Sequence, residues 1–365
     1  MTSQQGDAAP PVHLSRRGAA AIAVLQRPER RNAISGSMRD ALADWYPQIA
    51  RDANIYAAVL RSSVSHIFSV GGDIRELLAL VASDAAAARA AVGAECRLCW
   101  LAECFSKPTV SLIDGRVMGT GAGLSLYGTH RVAGESYLFS MPETAIGFFP
   151  DCGLAHAFAR MAPGVGSYLG LTGAELGPSD ALALGLATHI IPRAEHEAIV
   201  AHLADADPVD PVLDNRHRQP LEQGPVMGSL TRIQRYFDAP DVADILARLE
   251  GASDADQPWA RDVAQRLRAR SPLALCLTFR AIQEAARLDI RETLIQDYRI
   301  AARLLGSDDF REGVTSAVIE RGRKPRWQHG CVEDVPAALV EEHLTPPTGG
   351  DLDLRSRSEM QTARS

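Results

Sequence analysis

The chain has 365 residues, 46% of them hydrophobic and 23% charged, with a formal net charge of −7. That length holds one large domain or two smaller ones around a sizeable core. The acidic balance disfavours nonspecific binding to nucleic acid or to an anionic membrane.

Six cysteines with no framework spacing read as reduced, cytoplasmic thiols rather than disulfides. Residues 1–11 carry no apolar signal core, so export is not expected, and no run approaches the roughly 18 apolar residues that span a membrane. Residues 1–17 are polar, with Pro and Gly, and read as a disordered tail, as do residues 346–365. Between the tails, strands are predicted over 19–25, 56–61, 108–113, 130–133 and 188–191. Helices are predicted over 37–50, 75–82 and 85–105 from periodicity and alanine content. This alternation implies an α/β layered core over residues 18–204. The Asp-Pro repeats and polar residues of 205–227 read as a linker. Beyond them, helices are predicted over 229–237, 241–250, 259–268, 272–288 and 291–305, in a helical C-terminal region spanning 228–345. Leu273, Leu277, Ala281 and Ala285 recur at i+4 and form an apolar stripe that must pack on something.

The chemistry concentrates in Met141-Pro-Glu-Thr-Ala-Ile-Gly-Phe-Phe-Pro-Asp151. Glu143 and Asp151 stand in apolar, turn-rich surroundings, where burial raises carboxyl pKa values toward those of a general acid, base or nucleophile. Upstream, Gly119-Thr-Gly-Ala-Gly123 follows a predicted strand and opens a helix. A dinucleotide fingerprint fails there, because Leu124 and Leu126 stand where the third glycine is needed. The amides of such a turn still suit a phosphate or an oxyanion. A second pair, Gly71-Gly72, precedes Asp73, which can cap the helix that follows. Two glycine-rich helix starts can supply one oxyanion donor each. Cys96 and Cys99 have a metal-like spacing but no second pair, and no metal is expected. Cys152 and His156 would share a face if helical, which makes a Cys–His nucleophile conceivable against the simpler reading of packing.

In their order along the chain these segments resemble the crotonase superfamily of acyl-CoA enzymes. The carriers are Leu25-Gln-Arg-Pro-Glu-Arg-Arg-Asn32-Ala33, Phe68-Ser-Val-Gly-Gly-Asp73-Ile, Lys107-Pro108 and Met118-Gly-Thr-Gly-Ala-Gly-Leu124. Asp309-Phe-Arg-Glu-Gly313-Val and Lys324-Pro-Arg-Trp327 complete the set, so the likeness runs from about residue 19 to 330. Within the superfamily the chain is most similar to the 3-hydroxyisobutyryl-CoA hydrolase subgroup. Gly123 stands where hydratases keep a first glutamate, whereas Glu143 matches the second and Asp151 completes the hydrolase pair.

The resemblance implies an α/β crotonase-type spiral core of ββα units with a helical C-terminal region. It implies hydrolysis of a short 3-hydroxyacyl-CoA, 3-hydroxyisobutyryl-CoA of valine catabolism above all. Glu143 and Asp151 would be catalytic, the amides of Gly72 and Thr120 would form the oxyanion hole, and Glu95, Val70, Gly71 and Gly119 would bind substrate. Coenzyme A enters as part of the substrate, with no further cofactor, nucleic acid or membrane partner. The assembly would be a trimer, a hexamer or a monomer. Three departures bear on the pocket. Thr120 replaces the middle glycine and is restricted if the turn needs positive φ. Val70 replaces a smaller residue, and Leu154 replaces a glycine. The alternatives are an enoyl-CoA hydratase or isomerase using Glu143 as its single base, and a non-catalytic acyl-CoA-binding protein.

Overall fold

The computed structural model describes residues 10–362. Strands β1 (Val12–Arg17) and β2 (Ala20–Leu25) open it, followed by helix α1 (Gly36–Arg51). Then come β3 (Ala57–Ser62), β4 (Ile67–Ser69), α2 (Ile74–Ser83) and α3 (Ala85–Glu103). The next unit is β5 (Thr109–Ile113), β6 (Arg116–Met118) and α4 (Gly119–Leu126). The third is β7 (His130–Ala133) and β8 (Leu138–Ser140), a 3-10 turn at Glu143–Ile146, and the helices α5 (Leu154–Phe158), α6 (Val165–Thr172) and α7 (Pro178–Ala183). β9 (His189–Ile190), α8 (His196–Ala204) and α9 (Val209–Asp214) close the core.

Each unit sends its first strand to one sheet and its second to another. The larger sheet runs β1-β2-β3-β5-β7-β9 and the smaller β4-β6-β8. Among the strands described, β1 and β2 pair antiparallel and the other strand pairs are parallel. This is the spiral of ββα turns that the resemblance implied.

Alternation along the strands divides the core in two, because successive strand side chains point to opposite faces. Ala21, Ala23, Leu25, Ala58 and Leu60 join the large cluster shared with the helices. Ala20, Ile22, Ala57, Val59, Val110 and Leu112 face the other way. That second face is covered by Ile199, Val200 and Leu203 of α8 and by Val209, Val212 and Leu213 of α9. The stretch 205–227, read as a linker, therefore contains α9, which seals one side of the sheet. Its Asp-Pro repeats hid a short helix whose apolar residues are spaced by three and four.

The tails need similar correction. Residues 12–17 are β1, whose side chains are mostly exposed but whose backbone pairs with β2 along its whole length. Main-chain hydrogen bonds rather than apolar burial hold it, so a composition-based reading missed it. Residues 1–9 lie outside the described residues. At the other end Leu352 and Leu354 are buried. Trp100 Nε1 on α3 donates to Arg355 O at 2.7 Å.

The C-terminal region comprises α10 (Leu230–Phe237), α11 (Val242–Glu250), α12 (Gln257–Arg268), α13 (Pro272–Ala285), α14 (Ile290–Leu304), α15 (Asp308–Val314), α16 (Ala337–Leu344) and α17 (Arg357–Thr362). Leu273, Leu277, Ala281 and Ala285 of α13 are all buried, and α13 packs on α5, α6 and α16. α14 lies against α3. Its start is fixed by a capping box between Asp289 and Glu292, which satisfies two donors at the helix end.

Candidate active site

The three strands of the small sheet deliver the site, because each ends in one of its segments. β4 leads into Val70, Gly71 and Gly72, β6 into Gly119 and Thr120, and β8 into Pro142 and Glu143. Parallel sheets commonly place ligand sites outside the carboxyl ends of their strands. All eight residues expected in the site, namely Val70, Gly71, Gly72, Glu95, Gly119, Thr120, Glu143 and Asp151, line one cavity of about 250 Å³.

The first glycine turn is anchored by the loop after β2. Ile34 donates to Gly71 O at 2.8 Å, and Asp73 donates back to Ile34 O at 2.9 Å. Asn32, fully buried at φ 53°, donates to Ser62 Oγ and Phe68 O and accepts from the Arg27 amide. Asn tolerates the left-handed region better than most residues, which explains its place in that loop. These contacts fix the Gly71–Gly72 peptide, and the Gly72 amide finds no acceptor among the described residues.

In the second turn positive φ falls on Gly119, at 48°, while Thr120 lies inside α4. The β-branched residue therefore carries no backbone strain. Its amide is among the first of the helix, which have no intrahelical partner. Thr120 Oγ1 donates to Glu95 Oε1 and lies 3.1 Å from where a side chain on Gly72 would begin. The two donor amides thus come from segments in direct contact. Close approach explains both glycines: a Cβ on Gly119 would stand 3.2 Å from the Gly71 Cα and 3.2 Å from Glu143 Oε1.

Glu143 opens a 3-10 turn closed by Gly147, whose φ is 68°. It is half-buried as a residue, yet its Oε2 is sequestered with no hydrogen-bond partner among the described residues. Burial pushes its pKa up to about 8, with Glu95 adding to the rise and Arg270 opposing it. Asp151 is raised well above the usual carboxylate range by burial first and then by Glu95, Glu143 and Asp297. Two acids held protonated near neutrality beside unpaired amides can exchange protons with a bound carbonyl compound.

Gly123 has a structural cause. A Cβ there would sit 2.5 Å from Cys152 Cβ, so a second glutamate of the hydratase kind has no room. Cys152 does not share a helix face with His156, because α5 begins at Leu154 and Cys152 lies before it at φ 56°. Its Sγ instead donates to Glu95 Oε1 at 3.2 Å. Ligand atoms of Glu95, Asp151 and Cys152 fall within 4.8 Å of one another, a spacing that can hold a metal ion. The Cys152 thiol is pushed up by its contact with Cys99 and by burial. Leu154 is fully buried in α5 and does not line the cavity, so of the three departures only Val70 and Thr120 shape it.

Sequence reasoning missed the apolar wall of Ile34, Leu77, Leu80, Val92, Ile146 and Val318, whose residues are individually ordinary. It also missed Asp297. This carboxylate is fully buried on α14 and accepts from the Gly153 amide at 2.6 Å. A polar residue inside the spacing Leu294, Asp297, Ala301, Leu304 was the available signal, since buried carboxylates are rare without a partner.

The family model described as enoyl-CoA hydratase/isomerase matches residues 20–344. The chain is 31% identical to the mitochondrial 3-hydroxyisobutyryl-CoA hydrolase of Gallus gallus, covering 97% of this chain and 93% of that protein. It is 32% identical to 3-hydroxyisobutyryl-CoA hydrolase 1 of Arabidopsis thaliana over 88% of each. A crystal structure of an enoyl-CoA hydratase from Rhodobacter sphaeroides superposes with a TM-score of 0.87 at 34% identity, over 94% of this chain and 100% of that one. The two-sheet spiral, its site at the ends of the short strands, and a match over most of its length together place the chain in the enoyl-CoA hydratase/isomerase, or crotonase, family.

Proposed function

We propose that the protein hydrolyses the thioester of a short 3-hydroxyacyl-CoA, with 3-hydroxyisobutyryl-CoA as its substrate. The observation that carries the reading is the pairing of Glu143 with Asp151 in one cavity while Cys152 fills the space a second hydratase glutamate would need. The names of the hydrolase relatives support the same reading.

The thioester oxygen binds between the amides of Gly72 and Thr120, which are aimed where negative charge develops. In tested enzymes the loss of one such donor costs on the order of 3 kcal/mol. Glu143, once ionised, attacks the carbonyl carbon to give an anhydride that water then cleaves, or draws a proton from a water that attacks the carbonyl directly. Asp151 passes its proton to the departing CoA thiolate and orients the substrate hydroxyl. Glu95, held by Thr120 and Cys152, contacts the acyl group from α3.

A second reading, enoyl-CoA hydration, is favoured by the likeness to the solved hydratase. It would leave Glu143 as the sole base. One assay separates the two: the pure protein is given 3-hydroxyisobutyryl-CoA or crotonyl-CoA, and free thiol and enoyl absorbance are followed. The proposal expects thiol release that Glu143→Gln abolishes. Enoyl loss without thiol release would replace it with the hydratase reading, and thiol release untouched by Glu143→Gln would remove Glu143 from the mechanism.

A further inference from the structure

Behind the cavity the chain makes a tight turn over residues 151–154, closed by Leu154 N donating to Asp151 O at 3.1 Å. Both central residues have positive φ, 56° at Cys152 and 76° at Gly153. Turns of this type favour Asn, Asp or Gly in the centre, and a cysteine there is held against its preference. Gly153 has no alternative, since a Cβ would stand 1.8 Å from Tyr127 Oη and 2.8 Å from Ile290 Cδ1.

In such a turn the central peptide points both of its polar groups away from the turn's own hydrogen bond. Here each is met by a side chain from a different helix, one half-buried and one fully buried. The Tyr127 hydroxyl, at the end of α4, donates to Cys152 O at 2.5 Å. The Gly153 N–H donates to Asp297 Oδ2 on α14 at 2.6 Å. Asp297 is fully buried, and its Oδ1 has no partner among the described residues. A half-satisfied buried carboxylate costs free energy that an apolar residue would not.

We propose that Tyr127 and Asp297 are positioning residues that clamp the Cys152–Gly153 peptide from both sides and so aim Asp151 into the cavity. The inference rests on the thioesterase reading for what Asp151 does there, but not for the clamp itself. It gives the C-terminal helices a part in the site, because α14 sets a residue of the spiral core. The ionisable groups around the turn and its clamp include Glu95, Cys96, Cys99 and Glu103 of α3, Glu143, Cys152 and Tyr127. Burial and Asp297 both raise Cys96, and Asp297 is itself pushed up to about 8 by burial. The clamp therefore places a second buried carboxyl behind Asp151, whose own pKa it raises.

The test uses the full chain and three variants, Tyr127→Phe, Asp297→Ala and Asp297→Asn, each checked for folding by thermal melt. Misplacement of a catalytic group costs between about tenfold and a hundredfold in kcat, and that loss is expected for Tyr127→Phe and Asp297→Ala. KM should stay within about twofold, as when an interaction made only in the transition state is lost. Asp297→Asn, whose amide oxygen still accepts from Gly153, should recover most of kcat. Isotope-edited NMR of the aspartate carboxyls, with Asp151 assigned through Asp151→Asn, supplies a readout free of activity. The Asp151 midpoint should move in Tyr127→Phe as well as in Asp297→Ala, because freeing the turn changes the burial that raises it. Folded Tyr127→Phe protein with wild-type kcat and an unmoved Asp151 midpoint would overturn the clamp. If Asp297→Ala does not fold, Tyr127→Phe decides. If the wild type releases no thiol, the thioesterase reading fails, and the NMR titration alone judges the clamp.

Discussion

At the scale of single residues the site is a set of acids kept from ionising by burial. Glu143, raised to about 8 chiefly by desolvation, is mostly protonated at neutral pH. If its ionised form is the working one, kcat/KM rises with pH through about 8 and falls again when Asp151 loses the proton it must donate. A rate profile flat across that window would exclude Glu143 as base or nucleophile. The same shift has a stability consequence. A carboxyl whose pKa is raised on folding holds its proton more tightly in the folded state, so stability is full below the unfolded value and is lost as pH rises toward about 8. Glu143→Gln removes this titration. Its melting temperature should equal that of the wild type near the ordinary glutamate pKa of about 4.3 and exceed it increasingly at alkaline pH. Identical pH dependence of the two melts would count against the raised value. Glu143 and Asp151 were legible in the sequence because carboxylates in an apolar, turn-rich segment are costly. The harmlessness of Thr120 was not legible, since it depends on positive φ falling one residue earlier, on Gly119.

At the scale of elements, the Glu143 turn is seated on the C-terminal helices. A Cβ on Gly313 of α15 would stand 2.3 Å from the Ile146 carbonyl carbon, and one on Gly147 2.3 Å from Asp309 O. Ser271 caps α13 through the Ala274 amide and donates to Asp309 Oδ2 at 2.5 Å. Gly313→Ala should therefore displace the catalytic turn and lower kcat more than KM, measured on protein whose fold is verified by circular dichroism. Ser271→Ala loses a cap worth about 1 kcal/mol and leaves a buried carboxylate short of a donor, which costs a further 1–3 kcal/mol or so. Urea unfolding should register a loss of about 2 kcal/mol or more; a loss below about 0.5 kcal/mol would mean the hydroxyl does neither job. The segments Ser271-Pro-Leu and Asp309–Gly313 were visible as family-like motifs, but their shared purpose was not. It depends on two stretches 38 residues apart meeting through one hydrogen bond.

Across the whole molecule, the chain's last described segment packs where a tail was expected. Leu352 and Leu354 are 5% and 2% exposed, and Arg355 O is held by Trp100 on α3, the helix that also carries Glu95. Each buried leucine is worth about 2 kcal/mol. Removal of residues 346–365 should therefore lower the melting temperature by several degrees and weaken substrate binding through α3. A truncated protein that melts and binds acyl-CoA like the full chain would show that segment to be dispensable.

Five of the nine described strands and about half of the helices were set by the sequence itself. β7 over 130–133, α1 near 37–50 and α14 near 291–305 follow from local periodicity and capping, whereas the short β4, β6 and β8 that carry the site were not so set. The two acids and the two glycine turns were likewise local, because their chemistry is written in adjacent residues. Four things required the tertiary structure. β1 is held by pairing rather than by composition, and α9 is apolar only toward the sheet it covers. Gly123 is a glycine because Cys152 stands 2.5 Å from its Cβ position. Asp297 reaches the site from a helix 144 residues beyond Gly153. Each depends on contacts between segments distant in the chain: a local pattern can flag such a residue, as the polar Asp297 in an apolar stripe does, but it does not encode the partner.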